Sequence, residues 1–296
     1  MKILRHPDVM RAWSLGQRAD GKTIGLVPTM GALHAGHIAL VEASLAQCTA
    51  TVVSIFVNPA QFAPHEDYDQ YPRTFESDCR ILEDLGVHAI YAPTPNTMYP
   101  KDYATYVEVE GLQDGLCGLT RPHFFRGVAT VVTKLFNAVQ PDTAYFGEKD
   151  GQQAAILRRM TRDLNFGIDI VTLPTVREPD GLALSSRNQY LSAAERAEGL
   201  AISRALNEAR IDLEGGERDA QNLVSGVRDT IARLDIDYVA LVDARDLHPV
   251  ERIEGPIMLA VAARAGATRL IDNLQFDPAL SNPTKAPTQE ADAAQT

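Results

Sequence analysis

Two histidines three residues apart, with one glycine before them and one between them, are the most chemically suggestive feature of this chain. They lie in Pro28-Thr29-Met30-Gly31-Ala32-Leu33-His34-Ala35-Gly36-His37. Imidazoles donate to phosphate oxygens and can carry a proton near neutral pH. At a spacing of three, both face the same side if a helical turn begins this early. Gly31 and Gly36 remove side chains where a ligand must approach the main chain closely. A second such stretch is Gly147-Glu148-Lys149-Asp150, where Lys149 supplies a compact positive charge and Asp150 can cap a helix or accept from a sugar hydroxyl. In a third, Leu184-Ser185-Ser186-Arg187-Asn188, two hydroxyls and a guanidinium suit an anion. Plainer alternatives stand beside each: a glycine turn with exposed histidines, a capping sequence and a polar linker.

The elements around these residues place them. Ile24, Leu26 and Val27 suit a buried strand, and Ile38, Leu40, Val41 and Leu45 recur at helical spacing. Val52, Val53, Ile55 and Val57 form a second apolar run. A crossover of about twenty residues between two such strands is what a parallel βαβ unit needs. The histidine turn therefore falls at a strand's carboxyl end and a helix's N-terminus, where open α/β sheets bind ligands and exposed amides favour anions. Strand 143–146 and helix 151–164 set Lys149 in the same kind of turn, and Gln153, one turn into that helix, points back toward the opening. Residues 58–62 form a loop leaving another strand end, with the amides of Asn58 and Gln61 suited to hydroxyls and carboxylates.

Along the rest of the chain the pattern predicts a helix around 9–15, a helix over 76–85 and a strand over 87–91. Pro93, Pro95 and Pro100 predict an irregular loop over 93–102. A short extended piece at 106–109, a turn-rich stretch at 111–118, an amphipathic helix over 128–139 and a strand over 168–173 follow. The domain boundary is expected at 175/176. Beyond it Ser192-Ala193-Ala194-Glu195 is a capping box that opens a helix to about 210. A helix over 220–234 and short strands over 238–242, 257–263 and 269–273 make residues 176–278 a small α+β unit that could close over the first. Residues 279–296 are expected to be a disordered tail.

Composition narrows the class. The 296 residues suffice for two modest domains, and no apolar run approaches a membrane span. The N-terminus lacks the apolar core of a signal peptide. A net charge of −11 argues against a nucleic-acid-coating protein. Cys48, Cys79 and Cys117 are odd in number and far apart, which predicts free or buried thiols in a reducing cytoplasm rather than disulfides or a zinc site.

Residues 28–37 resemble the signature of the pantothenate synthetase family, part of the nucleotidyltransferase superfamily, whose H-x-G-H sequence binds ATP phosphates. The resemblance continues, in family order, through Phe56-Val57-Asn58-Pro59-Ala60-Gln61-Phe62, Arg126-Gly127-Val128-Ala129-Thr130-Val131-Val132, Phe146-Gly147-Glu148-Lys149-Asp150 and Leu184-Ser185-Ser186-Arg187-Asn188. It covers most of the chain up to about residue 190; the C-terminal third matches mainly in length and pattern. What it implies is a Rossmann-like, parallel-sheet α/β nucleotidyltransferase domain with a smaller α+β C-terminal domain. The implied reaction condenses (R)-pantoate with β-alanine, converting ATP to AMP and diphosphate through pantoyl adenylate. ATP would touch Met30, Gly31, Ala32, Leu33, His34, Ala35, Gly36 and His37, then Gly147, Glu148, Lys149 and Asp150, then Val176, Leu184, Ser185, Ser186 and Arg187. His34, His37, Lys149 and Arg187 would bear on the charge of the transfer, and Asn58, Gln61 and Gln153 would hold pantoate. Where ATP is the substrate, Mg2+ bridges phosphates and one or two carboxylates, and Asp78 is the acid to watch. The resemblance also implies a homodimer.

One block departs from the family. Arg121-Pro122-His123-Phe124-Phe125-Arg126-Gly127 stands where the pattern is Arg-Pro-Gly-His-Phe-Arg-Gly. The role of the family's histidine either passes to His123 through a shifted backbone or is lost. Two other readings stay open at this point: a nucleotidyltransferase acting on a phosphorylated small molecule, and a non-catalytic nucleotide-binding module.

Overall fold

The computed structural model describes residues 1–64 and 66–280, so the tail expected from residue 279 lies, past its first two residues, outside the described residues. The chain opens with β1 (Lys2–Leu4), α1 (Pro7–Ala19), β2 (Ile24–Thr29), α2 (Ala35–Gln47) and β3 (Ala50–Ile55). It continues through α3 (Phe75–Asp84), β4 (Ala89–Tyr91), two short helices α4 (Pro95–Met98) and α5 (Cys117–Thr120), then α6 (Phe124–Val139) and β5 (Thr143–Gly147). After α7 (Gly151–Asp163) and β6 (Asp169–Leu173) come α8 (Ala193–Glu214), α9 (Ala220–Thr230), β7 (Asp235–Asp243), β8 (Ile257–Ala265) and β9 (Thr268–Phe276).

The first six strands form one sheet in the order β1-β4-β3-β2-β5-β6, and every pairing in it is parallel. A parallel sheet needs both faces covered, and this one has two apolar layers. On one face Met10 of α1, Phe136 of α6 and Ile156 and Leu157 of α7 pack on Ile24, Leu26 and Val52. On the other, Leu40 and Val41 of α2 and Leu82 of α3 pack on Val27, Val53 and Tyr145. The alternation of side-chain direction along β2 sends Leu26 and Val27 to opposite layers. The strand order reverses at β2: β3 lies on one side of it and β5 on the other. That reversal brings together the carboxyl ends of β2 and β5, from which the histidine and lysine turns leave.

The last three strands form an antiparallel sheet, β7-β8-β9, with its own core against α8 and α9. Ser192 and Glu195 cap α8 reciprocally, as the sequence predicts: Ser192 Oγ accepts from Glu195 N and Ser192 N donates to Glu195 Oε2 at 2.8 Å. A small cluster of Leu116, Val242, Met258 and Ala260 joins the second sheet to the first half of the chain.

Three local features differ from the pattern. β1 is an extra edge strand; its three residues are too few to show a period. The loop over 93–102 contains α4, because Pro95 occupies the first helical position, where its missing N–H costs nothing, and the Thr94 hydroxyl accepts from Thr97 N. Residues 106–109 form no strand; Val107 N donates to Thr130 Oγ1 of α6 instead.

Candidate active site

The turn leaving β2 is held from below. Gly31 and Ala32 both have positive φ, +85° and +52°. Asp78, 2 % exposed on α3, accepts from Ala32 N through Oδ2 and from Leu33 N through Oδ1, each at 3.0 Å, and from the Thr74 hydroxyl at 3.1 Å. The sequence singles out Asp78 as the acid to watch for magnesium; here both of its oxygens accept from this turn, and it does not line the cavity described below. The burial of a helix-face acid is explained by those amide donors.

His34 is the N-cap of α2 and His37 stands on its first turn, so the two rings stack with centroids 4.0 Å apart. His34 N donates to His37 Nδ1 at 3.4 Å. This fixes Nδ1 as the acceptor and leaves the proton of a neutral ring on Nε2. A Cβ on Gly36 would sit 3.0 Å from the His34 Cε1, so glycine makes room for the ring itself. Burial, the neighbouring His34 ring and Lys149 lower the His37 pKa to about 3. Burial and Lys149 lower that of His34 as well. Both imidazoles are therefore neutral at pH 7, in a pocket that already holds an ammonium.

The turn leaving β5 carries Lys149, which makes no ion pair among the described residues. Its backbone is gripped from the second sheet: Asn273 Nδ2 donates to the carbonyls of Glu148 and Lys149 at 2.8 and 2.9 Å. Gln153 faces the cavity, while its neighbour Gln152 is buried, accepting from Cys117 N and donating to the carbonyls of Leu112 and Gly115.

Asn58 is 1 % exposed and has every hydrogen-bonding position of its amide engaged. Its Nδ2 donates to Gln61 Oε1 at 3.0 Å and to Gly127 O at 3.1 Å; its Oδ1 accepts from Ala60 N and from the Tyr99 hydroxyl. Gln61 is thereby oriented with its amide nitrogen 3.3 Å from Met30 Sδ. Gly127 belongs to this device, since a Cβ there would overlap the Ala60 carbonyl. Of the altered block, His123 is exposed and off the cavity, whereas Phe124 lines it beneath the Arg121 guanidinium, 3.8 Å from the ring centre. Arg121 in turn pairs with both oxygens of Glu66 at 2.6 and 2.7 Å. His123 thus brings no imidazole to the cavity.

Arg187 pairs with both oxygens of Asp67 at 2.9 Å, and the neighbouring Ser186 hydroxyl lies 3.2 Å from the Tyr71 hydroxyl. Burial works to raise the Asp67 pKa, but the Arg187 bonds outweigh it and hold the carboxyl below its usual range. Asp67 and Tyr71 come from residues 67–74, which read in sequence only as a polar, proline-interrupted loop, and Glu66 directly precedes it. Their partners lie 55 to 120 residues away, and no local pattern encodes such distant pairs.

The turns and loops that carry these groups meet at one cavity of about 990 Å3. Its walls include Met30, His34, Gly36 and His37; Asn58 and Gln61; Gly147, Lys149, Asp150 and Gln153; and Val176, Leu184, Ser185, Ser186 and Arg187. The second sheet supplies Tyr238, Met258, Arg269, Asp272 and Asn273. Gly31, Ala32, Leu33, Ala35 and Glu148, expected beside ATP, do not line it; Ala32, Leu33 and Glu148 shape the turns through the backbone contacts described above, and Gly31 through its positive φ. No group of three or more His, Cys, Asp or Glu side chains among the described residues could hold a metal ion. No helix among them is long and apolar enough to cross a membrane.

A parallel sheet whose cleft opens where its strand order reverses, lined there by neutral imidazoles and an unpaired ammonium, places the molecule among doubly wound α/β enzymes that accept anionic ligands. Comparison with known proteins gives the particular group. A family model described as Pantoate-beta-alanine ligase matches residues 2–275. The pantothenate synthetase of Heliobacterium modesticaldum is 52 % identical over 277 residues, covering 93 % of this chain and 99 % of the relative; that of Moorella thermoacetica is 50 % identical over 280 residues, covering 94 % and 99 %. Among solved structures, the pantothenate synthetase of Thermus thermophilus superposes with a TM-score of 0.87 at 42 % identity, covering 93 % of this chain and 99 % of that one. A Francisella tularensis pantoate-beta-alanine ligase, solved with beta-gamma ATP and beta-alanine, has a TM-score of 0.76 at 30 % identity, covering 93 % and 97 %. The chain belongs to the pantoate–beta-alanine ligase family and is an enzyme of that class.

Proposed function

We propose that this protein joins (R)-pantoate to β-alanine at the expense of ATP, through pantoyl adenylate, in the cavity between the two sheets. The observation that carries the reading is the convergence of the β2 and β5 exit turns, bearing His34, His37 and Lys149, with Ser185, Ser186 and Arg187 on one cleft. In the first step a pantoate carboxylate oxygen attacks the α-phosphorus and the bond to diphosphate breaks. Negative charge grows on the leaving group, and fixed donors aimed at that charge are the largest source of rate. Neutral His37, with its proton on Nε2, enters as a hydrogen-bond donor; a bound polyphosphate raises its pKa, since opposite charge favours the imidazolium. Lys149 supplies a full charge, and Arg187 can do so once it leaves Asp67.

In this reading Gln61 and Gln153 orient pantoate, and Asn58 acts through Gln61, because its own amide has no free position. In the second step the β-alanine amine attacks the acyl carbon and AMP leaves. Residues 176–278 serve as the lid that keeps water from the anhydride. Magnesium would enter on the ATP phosphates, because the described residues offer no cluster of three or more ligands for it and both Asp78 oxygens already accept from the turn. A homodimer in the cytoplasm completes the reading; the three cysteines are free thiols, as a reducing compartment predicts.

The test is exchange of labelled diphosphate into ATP. Exchange should require pantoate, proceed without β-alanine and fall about 100-fold in His37→Ala, the usual loss for one such donor. Exchange driven instead by a phosphorylated alcohol would replace this reading with that of another nucleotidyltransferase.

A further inference from the structure

Two consecutive residues of β9 grip two separate cavity-lining segments. Asn273, 8 % exposed, uses both amide hydrogens on the carbonyls of Glu148 and Lys149. Asp272, 5 % exposed, accepts from Arg177 at 2.6 and 3.0 Å and from Asn273 N at 2.9 Å. Arg177 opens the hairpin that ends in Ser185: it bridges Ala183, donates to Gly181 O at 3.2 Å, and is followed by Glu178 N donating to Leu182 O. Side chains alternate along a strand, so Asp272 and Asn273 reach in different directions from one rigid stretch of backbone. The elements pack closely at this point: a Cβ on Gly151 would meet Met258 Sδ of the adjacent strand β8 and lie 3.4 Å from Asn273 Nδ2. Neither side chain is used in the sheet's own ladder, which is made by main-chain groups from Thr268 to Phe276.

We infer that Asp272 and Asn273 are positioning residues for the adenylation step, setting Lys149 and the 184–187 loop in register with each other from a third element. The inference rests on the reading of those two segments as ATP-phosphate contacts. Asn273 fixes the height of the Lys149 turn against the sheet, and Asp272 fixes the base of the serine–arginine hairpin. Because one strand carries both, displacement of the second sheet moves the two phosphate-handling segments together.

The test is ATP binding by titration calorimetry to four full-length proteins: wild type, Asn273→Ala, Lys149→Ala and the double variant, with pantoate binding as the control. Asn273→Ala should weaken ATP binding about tenfold, the effect of losing a pair of ordinary hydrogen bonds, and leave pantoate binding unchanged. In the Lys149→Ala background the same change should have less than about a twofold effect, because groups acting as one unit are not additive. Asn273→Asp keeps the side-chain shape but sets an oxygen against two carbonyls, so it should weaken ATP binding further; it also serves if Asn273→Ala does not fold. Equal factors in both backgrounds, or parallel loss of ATP and pantoate binding, would overturn the positioning role alone. If Lys149→Ala bound ATP as well as wild type, the ATP-site reading itself would fall, and the inference with it.

Discussion

The lowered pKa of His37 has a measurable consequence at the scale of the single residue. Its folded value of about 3 lies below the ordinary 6.5, so between those limits the unfolded chain binds more protons and stability falls as pH drops. The slope from one such group is at most about 1.4 kcal/mol per pH unit. Urea midpoints compared at pH 6.5 and 5.0 should drop more in wild type than in His37→Gln; equal drops would mean the ring is protonated in the folded protein. The Asp67–Arg187 pair makes a second prediction. Arg187 cannot hold a carboxylate and a phosphate with the same donors, so Asp67→Asn should lower the KM for ATP. The pair is partly exposed, with side chains 31 % and 24 % accessible, and such pairs are worth about 0.2–1 kcal/mol, so steady-state kinetics should show a decrease of up to about fivefold. An increase would mean that Asp67 presents Arg187 to the substrate.

At the scale of elements, the contact of α6 with the turn over Pro59–Gln61 depends on Gly127. Gly127→Ala should force the two apart, destabilise the fold by about 1–3 kcal/mol as overpacking does, and raise the KM for pantoate more than that for ATP. Thermal melts with the two KM values check this, and unchanged kinetics would separate Gln61 from pantoate. The same elements show what was legible in the chain. Strands β2 and β3 and helices α2 and α6 follow from apolar period, β5 and α7 are placed beside the lysine turn, and the α8 cap follows from Ser192 and Glu195. The two strand-end turns could likewise be located from order alone. That β2 and β5 are neighbours could not, because strand order is a long-range property. Asp78, Asp67 and Asn273 escaped for a related reason: each acts on a segment 46, 120 or 124 residues away. An acid on a helix face has the same local appearance whether it meets water, a metal ion or the amides of a distant turn. In the 121–127 block, sequence showed the departure from the family and structure showed its outcome.

At the scale of the whole molecule, one cavity draws its walls from two hydrophobic cores. A ligand in it should stabilise both. ATP with pantoate at about 100 times its dissociation constant should add about 2.7 kcal/mol, and differential scanning calorimetry should show a single transition moved upward. If two transitions appeared and only one moved, the second sheet would be a bystander. The close approach of β2 and α2 bears on how such an enzyme can work. A Cβ on Gly25 would overlap the Ser44 hydroxyl of α2, and Ser44 is itself tied to Thr51 of β3 at 2.9 Å. The helix behind the histidines is thus fitted closely into the sheet at this point, like a tenon. Freedom to admit three substrates and release three products is then expected of the periphery, of residues 66–71 and 184–190 and the sheet behind them, with the closely packed imidazoles as the datum for the rest.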